Sequence, residues 1–231
     1  MLQIDIITIF PEYFDRLLSL GVLARAEQEG LVRYRTVNLR DFTRDRHQTV
    51  DDYPYGGGPG MVLKPEPVFE GVEWCRKTVE PAVPDEKART VLLSARGKVF
   101  AQRQAEKLSL VGQLILICGH YKDVDERVAQ YLADEELSIG DYVLSGGEPA
   151  AAVVVDAVVR LLPGSLGDFD SATGDSFFEE MLGAPQYTRP RVYRGYEVPE
   201  VLTSGDHQRI ERWRKEQVER LTTERRPDLL K

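Results

Sequence analysis

A short run in the second half of the chain combines strand-forming residues with glycines. Residues 139–149 read Ile-Gly-Asp-Tyr-Val-Leu-Ser-Gly-Gly-Glu-Pro. The apolar and aromatic residues favour extended backbone, whereas the glycines permit close approaches that a side chain would forbid. Such a loop presents an apolar wall with backbone donors and acceptors, which suits a flat hydrogen-bonding group such as a purine. The same pattern also fits an ordinary strand, a turn and the start of the next helix.

Two further turns resemble this run, because each joins the end of an apolar segment to a glycine. They are Ser-Ala-Arg-Gly at residues 94–97 and Cys-Gly-His-Tyr at residues 118–121. Strands of a parallel sheet end at one edge, and open α/β sheets bind their ligands there. We therefore expect one adenosine-sized ligand to contact all three loops. Three separate structural turns are the alternative.

The sequence lacks the motifs of several common enzyme classes. The glycines of residues 56–60 do not follow a strand into a helix, and no Gly-x-x-x-x-Gly-Lys-Ser/Thr run occurs. The histidines His47, His120 and His207 are too scattered for a zinc site, and no Gly-x-Ser-x-Gly elbow provides a nucleophile. Cys75 and Cys118 are too isolated for a disulfide framework. Kinase, dinucleotide, zinc and serine-hydrolase functions are thus not indicated.

The elements that position these loops follow from the hydrophobic pattern. Apolar runs predict strands, and these are residues 2–9, 31–39, 90–94 and 113–118. Helical segments are predicted after Pro11 and at residues 65–79, 101–110, 123–132 and 149–162. The polar, glycine-rich residues 41–60 predict a long loop. Alternation of strand and helix predicts an α/β fold whose parallel sheet is covered on both faces.

Length and composition indicate a medium α/β domain followed by a smaller one. The 231 residues are 42% hydrophobic and 29% charged, which is typical of a globular protein. We predict domains at residues 1–163 and 185–231, separated by a Gly-, Asp- and Ser-rich flexible linker at 164–184. The second domain is expected to be helical, with Ser204 or Asp206 capping its last helix.

Charge is distributed unevenly along the chain. The net charge is −8, yet residues 187–231 hold eleven Lys and Arg against eight Asp and Glu, a local +3. A basic face of this kind fits a nucleic-acid partner or a solvated helix surface. The apolar first ten residues include Asp5 and lack a basic flank, so they fit neither a signal peptide nor a membrane span. We expect a cytoplasmic protein without a membrane partner.

Longer motifs carry a resemblance that spans nearly the whole chain. They are residues 40–43 (Arg-Asp-Phe-Thr), 45–47, 49–52, 54–61 (Pro-Tyr-Gly-Gly-Gly-Pro-Gly-Met), 125–128, 139–148, 171–173, 175–177, 187–190, 204–205 and 207. With these motifs in this order, the chain resembles the bacterial tRNA (guanine-N1) methyltransferase family TrmD, of the SPOUT class.

The resemblance implies an α/β fold with a SPOUT-type parallel sheet and a C-terminal trefoil knot, followed by a small helical C-terminal domain. It implies S-adenosylmethionine-dependent methylation of N1 of guanosine 37, directly 3' of the tRNA anticodon. It also implies a homodimer with a shared active site, and a magnesium dependence for which the sequence shows no metal ligands.

Site residues follow by matching positions. The resemblance places the methyl donor S-adenosylmethionine against Gly119, Tyr121, Ile139, Gly140, Asp141, Tyr142, Val143, Leu144, Gly146 and Gly147. The turn at the same sheet edge adds Ser94. The resemblance implies that Ser204 and His207 contact a guanine pair of the tRNA, and the basic residues Arg189 and Arg214 are expected to bind tRNA phosphates. Asp175 matches the catalytic base, which the chemistry requires because neutral guanine carries a proton on N1. Arg160 matches the catalytic arginine near guanine O6, where negative charge develops.

Two positions depart from the pattern of the family. Lys122 stands where many relatives have Glu, which removes an acidic contact near the donor, and Gly174 replaces a Glu that often precedes the base. The alternative functions are a SPOUT methyltransferase acting on another RNA, and a non-catalytic RNA-binding protein with the same fold. Retention of both Asp175 and Arg160 argues against the second alternative.

Overall fold

The computed structural model describes residues 1–80, 84, 87–166, 175–177 and 180–230. The chain divides into two compact units, Met1–Leu166 and Gly167–Lys231. This division falls close to the predicted domain end at residue 163. The flexibility of residues 164–184 stays a prediction, since residues 167–174 and 178–179 lie outside the described part of the chain.

The first unit alternates strands and helices. In chain order its elements are β1 (Leu2–Thr8), α1 (Glu12–Leu18), α2 (Gly21–Gln28), β2 (Val32–Asn38), β3 (Asp51–Asp52), β4 (Val62–Leu63), α3 (Pro65–Thr78), β5 (Ala88–Val99), α4 (Gln102–Ser109), β6 (Gln113–Cys118), β7 (Asp123–Val124), α5 (Glu126–Tyr131), β8 (Glu135–Ser138) and α6 (Glu148–Val159).

The central sheet has the order β2-β1-β6-β5-β8, and every neighbouring pair is parallel. Side chains of β6 alternate between its faces: Leu114 and Leu116 belong to one core cluster, Ile115 and Ile117 to the other. Helices α1, α2, α4 and α6 contribute to the first cluster, and α3 and α5 to the second. The predicted α/β class with a parallel sheet covered on both faces is confirmed.

Some element boundaries were predicted wrongly. Residues 123–124 do not begin a helix but form β7, which pairs with β4. Helix α5 begins afterwards, because the Asp125 side chain accepts a hydrogen bond from the Arg127 amide and caps it. Strand β5 is also longer than the predicted residues 90–94, since it resumes pairing with β8 at Lys98.

The second unit contains a short hairpin, β9 (Val192–Tyr193) and β10 (Tyr196–Glu197), and the long helix α7 (His207–Arg225). Asp206 caps α7 by accepting a 3.1 Å hydrogen bond from the Arg209 amide. Ser204 lies before this cap: its hydroxyl donates to the Val201 carbonyl and accepts from the Asp206 amide. Of the two predicted caps, Asp206 is therefore the one used.

Candidate active site

A pocket lies at the carboxyl edge of the sheet, where the three glycine-containing loops meet. Its walls come from the loop after Leu93, the loop after Cys118, and the segment from Leu137 to Gly147. Ten of the eleven residues predicted to contact the donor line this pocket. They are Ser94, Gly119, Tyr121, Ile139, Gly140, Tyr142, Val143, Leu144, Gly146 and Gly147. Asp141 is exposed in the same loop but does not line the pocket.

The first wall is a bulge in the edge pairing of the sheet. Leu93 and Lys98 both pair with Leu137, so residues 94–97 are not paired with β8 and bulge towards the pocket. Gly97 permits this geometry, because a Cβ there would lie 2.5 Å from the Glu136 carbonyl carbon. Bulges of this kind redirect side chains next to functional sites.

The second wall follows β6 and contacts the start of α6. The Gly147 amide donates a 2.7 Å hydrogen bond to the Gly119 carbonyl. A Cβ on Gly147 would lie only 2.7 Å from the Cys118 Cα, so only glycine allows the two backbones to approach this closely. Tyr121 has a φ of +60°, an uncommon conformation for a non-glycine residue that often marks functional sites.

The third wall is a loop, although several of its residues favour strands. Strand β8 ends at Ser138, whose hydroxyl accepts a hydrogen bond from the Gly140 amide and donates one to the Gly140 carbonyl. Val143 is 94% exposed and Leu144 is 39% exposed. This wall therefore presents apolar surface that a ligand or a second protein could cover.

His120 lines the pocket and lies next to a buried acid, Glu148. Glu148 is 4% exposed at the first turn of α6, and its carboxylate accepts a 2.7 Å hydrogen bond from the Thr8 hydroxyl. The His120 Nδ1 atom lies 4.0 Å from the other Glu148 oxygen. Phe10 and Tyr121 pack edge-on against the His120 ring. The sequence pattern did not predict that Thr8, His120 and Glu148 meet, because they come from three distant segments.

The two predicted catalytic residues lie in different units. Arg160 directly follows α6, whose twelve residues begin at the pocket and span roughly 18 Å. An arginine side chain cannot bridge that distance, so the structure does not bring Arg160 to the pocket of its own chain. Asp175 is an exposed residue of the second unit.

The predicted RNA-contacting residues all belong to the second unit, and Arg189, Ser204, His207 and Arg214 are exposed. Ser204 and Thr203 line a depression together with two basic side chains, Arg191 and Arg209, and one acidic side chain, Glu200. Hydroxyls and arginines in such an arrangement are suited to holding a phosphate group.

Metal ligands are not clustered in the part of the chain that the structure describes, where no group of three or more His, Cys, Asp or Glu side chains could hold an ion. The charged side chains that line the pocket are the cationic Arg96 and Lys122 and a single carboxylate, Asp123. Among the described residues, the pocket lining therefore contains no cluster of ligands for a magnesium ion. None of the described helices combines the length and apolar character needed to cross a membrane.

Known proteins resemble the chain over nearly its full length. The sequence pattern of the family described as tRNA (Guanine-1)-methyltransferase TrmD matches residues 2–231. A relative from Dictyoglomus turgidum is 53% identical over 230 residues, which cover 100% of this chain and 90% of the relative. Relatives from Halalkalibacterium halodurans and Geobacillus kaustophilus are each 51% identical over 229 residues, covering 99% of this chain and 91% of theirs. All three are named tRNA (guanine-N(1)-)-methyltransferase. The chain belongs to the tRNA (guanine-1)-methyltransferase TrmD family.

Proposed function

We propose that this protein transfers a methyl group from S-adenosylmethionine to N1 of guanosine 37 in tRNA. The observation that carries the proposal is the convergence of three glycine-containing loops on one pocket in a chain of this family. The proposal includes a cytoplasmic location, since the substrate would be tRNA.

The pocket suits the donor chemically. Tyr142, Val143 and Leu144 offer apolar and aromatic surface for a purine, and the glycine-rich backbone beside them offers donors and acceptors for its edge. When bound, S-adenosylmethionine supplies an electrophilic methyl group on a positively charged sulfur. The pocket residues would hold this donor, and the groups that act on guanine would come from elsewhere.

Asp175 is proposed as the general base. Neutral guanine holds a proton on N1, and removing that proton makes the nitrogen lone pair available for attack on the methyl carbon. The Asp175 carboxylate would accept this proton. Its exposed position in the second unit leaves it accessible to a bound RNA.

Arg160 is proposed to stabilise the negative charge that develops on guanine O6, and to do so across a homodimer interface. A guanidinium is a fixed cation with directed donors, which suits this role. Helix α6 separates Arg160 from the pocket of its own chain. In a shared site, Arg160 would instead contact the guanine bound next to the partner's pocket. The exposed Val143 and Leu144 beside the pocket also favour coverage by a second copy.

A trefoil knot is part of the proposal. Two contacts support it, the hydrogen bond from Gly147 to Gly119 and the bridge between His120 and Gly146. Both contacts hold the segment after β8 close to the end of β6. A chain that is threaded through a preceding loop must make close contacts of this kind. For magnesium we assign neither residues nor a role.

The second unit is proposed to hold the anticodon region. Arg189, Arg214 and the arginines of the depression, Arg191 and Arg209, would contact phosphates, and His207 at the start of α7 would contact the RNA as well. Extraction of the guanine from its loop would then expose its N1 edge to Asp175.

Methyl incorporation tests the proposal. Purified protein and labelled S-adenosylmethionine are incubated with an unmodified tRNA transcript carrying guanosine at position 37, a matched transcript with adenosine there, and a ribosomal RNA fragment. We expect label only in the guanosine transcript. Preferential labelling of the ribosomal fragment would favour a different RNA substrate, and binding of tRNA without any labelling would favour the non-catalytic alternative.

A further inference from the structure

Arg96 stands out at the pocket because three carboxylates surround its guanidinium group. Its nitrogen atoms lie 2.7 Å from a Glu126 oxygen, 3.4 Å from an Asp123 oxygen and 3.8 Å from a Glu136 oxygen. That Glu136 oxygen is buried, and none of the described residues gives it a hydrogen bond. Removing Arg96 would thus leave three like charges close together without their shared cation.

These carboxylates belong to the segments that build the other two pocket walls, or lie next to those segments along the chain. Asp123 ends the loop after β6, and Glu126 begins the helix that follows it. Glu136 lies on β8, which leads directly into the loop from Ile139 to Gly147. Arg96 itself lies in the bulge that forms the first wall. One side chain therefore connects all three walls.

We propose that Arg96 is a positioning residue, which holds the three loops in the arrangement that binds the methyl donor. This inference rests on the proposed function, because it assumes that the pocket binds S-adenosylmethionine. Each ion pair is partly exposed and worth little alone. Together, the three ion pairs fix the geometry of the loops and thereby raise the affinity for the donor. The sheet beneath the loops is stabilised by its buried core.

The charge of the ligand separates positioning from a direct electrostatic effect. S-adenosylmethionine is a cation at neutral pH, whereas its product S-adenosylhomocysteine has a neutral sulfur and no net charge. If Arg96 acted only through its charge, Arg96→Ala would bind the cationic donor more tightly and would bind the neutral product with unchanged affinity. Positioning predicts instead that both ligands lose affinity by the same factor.

Calorimetric titration of the full-length protein with each ligand tests this inference. For Arg96→Ala we expect roughly tenfold weaker binding of both ligands, and a raised KM for the donor with little change in kcat at saturation. Arg96→Lys should bind with intermediate affinity. Glu126→Gln, which removes the shortest contact, should weaken both ligands in the same direction.

Arg127→Ala is the matched control. Arg127 is also an exposed arginine in an ion pair, with Asp125, but it does not line the pocket. It should bind both ligands like the wild type, and its melting temperature should resemble that of Arg96→Ala. Unchanged affinity in both Arg96→Ala and Glu126→Gln, or tighter binding of the cation alone, would overturn the inference. If the wild type bound neither ligand, the proposed function would fail as well.

Discussion

Asp175 is the side chain whose loss should reduce turnover most. Asp175→Asn keeps the size of the side chain but cannot accept the N1 proton at neutral pH. We expect methyl transfer to slow by about 10²- to 10⁴-fold, while affinity for S-adenosylmethionine stays normal. Single-turnover methyl transfer with saturating tRNA measures the first quantity, and calorimetry measures the second.

The control for this variant is Glu197→Gln, which neutralises another exposed carboxylate of the second unit. Its turnover should match that of the wild type. A comparable rate in Asp175→Asn would exclude Asp175 as the base. A slow rate combined with lost donor binding would point to a structural defect.

The two cysteines give a pH dependence of stability. Burial raises the pKa of the Cys75 thiol to about 12, and burial together with the Glu148 carboxylate raises the pKa of the Cys118 thiol well above its usual value. In the unfolded chain both thiols ionise with a pKa of about 8.5. The unfolded state therefore loses protons first, and the free energy of unfolding should fall as pH rises from about 8.5 towards 12.

Urea unfolding across this pH range measures the effect. The Cys75→Ala and Cys118→Ala variants should show a shallower decline than the wild type. A thiol reagent at about pH 8 should modify the native protein slowly and the unfolded protein quickly. Rapid modification of native Cys118 would contradict its burial beside Glu148.

Single residues differed in how well the sequence predicted them. The three pocket loops could be predicted because each apolar run ends in a glycine-containing turn at a common sheet edge, whereas the individual donor residues followed mainly from the family resemblance. The partners of Arg96, by contrast, are supplied by segments remote along the chain, so no local pattern reports them. Arg160 matched its family position, and its distance from the pocket follows from the length of α6.

The junction between β6 and α6 should tolerate very little added volume. In Gly147→Ala the new Cβ would meet the Cys118 backbone at 2.7 Å, and backbone atoms cannot move aside as a flexible side chain can. We expect a loss of about 1–3 kcal/mol in the free energy of unfolding, as for other overpacked sites. Guanidinium unfolding monitored by circular dichroism measures it.

Gly71→Ala is the corresponding control within α3. A Cβ there would make ordinary contacts at 3.5 Å with Phe42, and alanine favours the helix by roughly 0.5–1 kcal/mol. This variant should be as stable as the wild type or slightly more so. Equal stability of both variants would show that the backbones of Gly147 and Cys118 lie farther apart in solution.

Helices and strands could be predicted where the hydrophobic residues followed a single period along the sequence. The buried strands β1 and β6 and the amphipathic helix α3 agree with their predicted spans within two residues. The bulge in β5 and the two-residue strand β7 depend on pairing with β8 and β4, which a local pattern does not encode. The helix predicted after Pro11 is observed as α1, which ends at Leu18, and a separate helix α2 begins at Gly21 after the extended residue Leu20.

The assembled protein should contain sites shared between two copies. Arg160→Ala removes the proposed O6 contact, and Ser94→Trp fills the pocket with an indole. Each homodimer should be inactive. A mixed dimer of the two variants combines one open pocket with one intact Arg160 on the other chain, so it should regain about half of the wild-type activity if the contact crosses the interface.

Co-expression with two different affinity tags isolates these mixed dimers. Methyl transfer to tRNA is then compared among the mixed dimer and both parent homodimers. An inactive mixed dimer, with both parents folded and dimeric, would show that Arg160 and the pocket must belong to one chain. A monomeric wild type would also contradict the shared site.

The most direct test of the proposed function is identification of the methylated nucleoside. An unmodified tRNA transcript with guanosine at position 37 is incubated with the purified protein and S-adenosylmethionine carrying a trideuterated methyl group, then digested and analysed by mass spectrometry. We predict labelled 1-methylguanosine that derives from position 37. A label on another atom or nucleoside, or no label despite bound donor and tRNA, would contradict the proposed reaction.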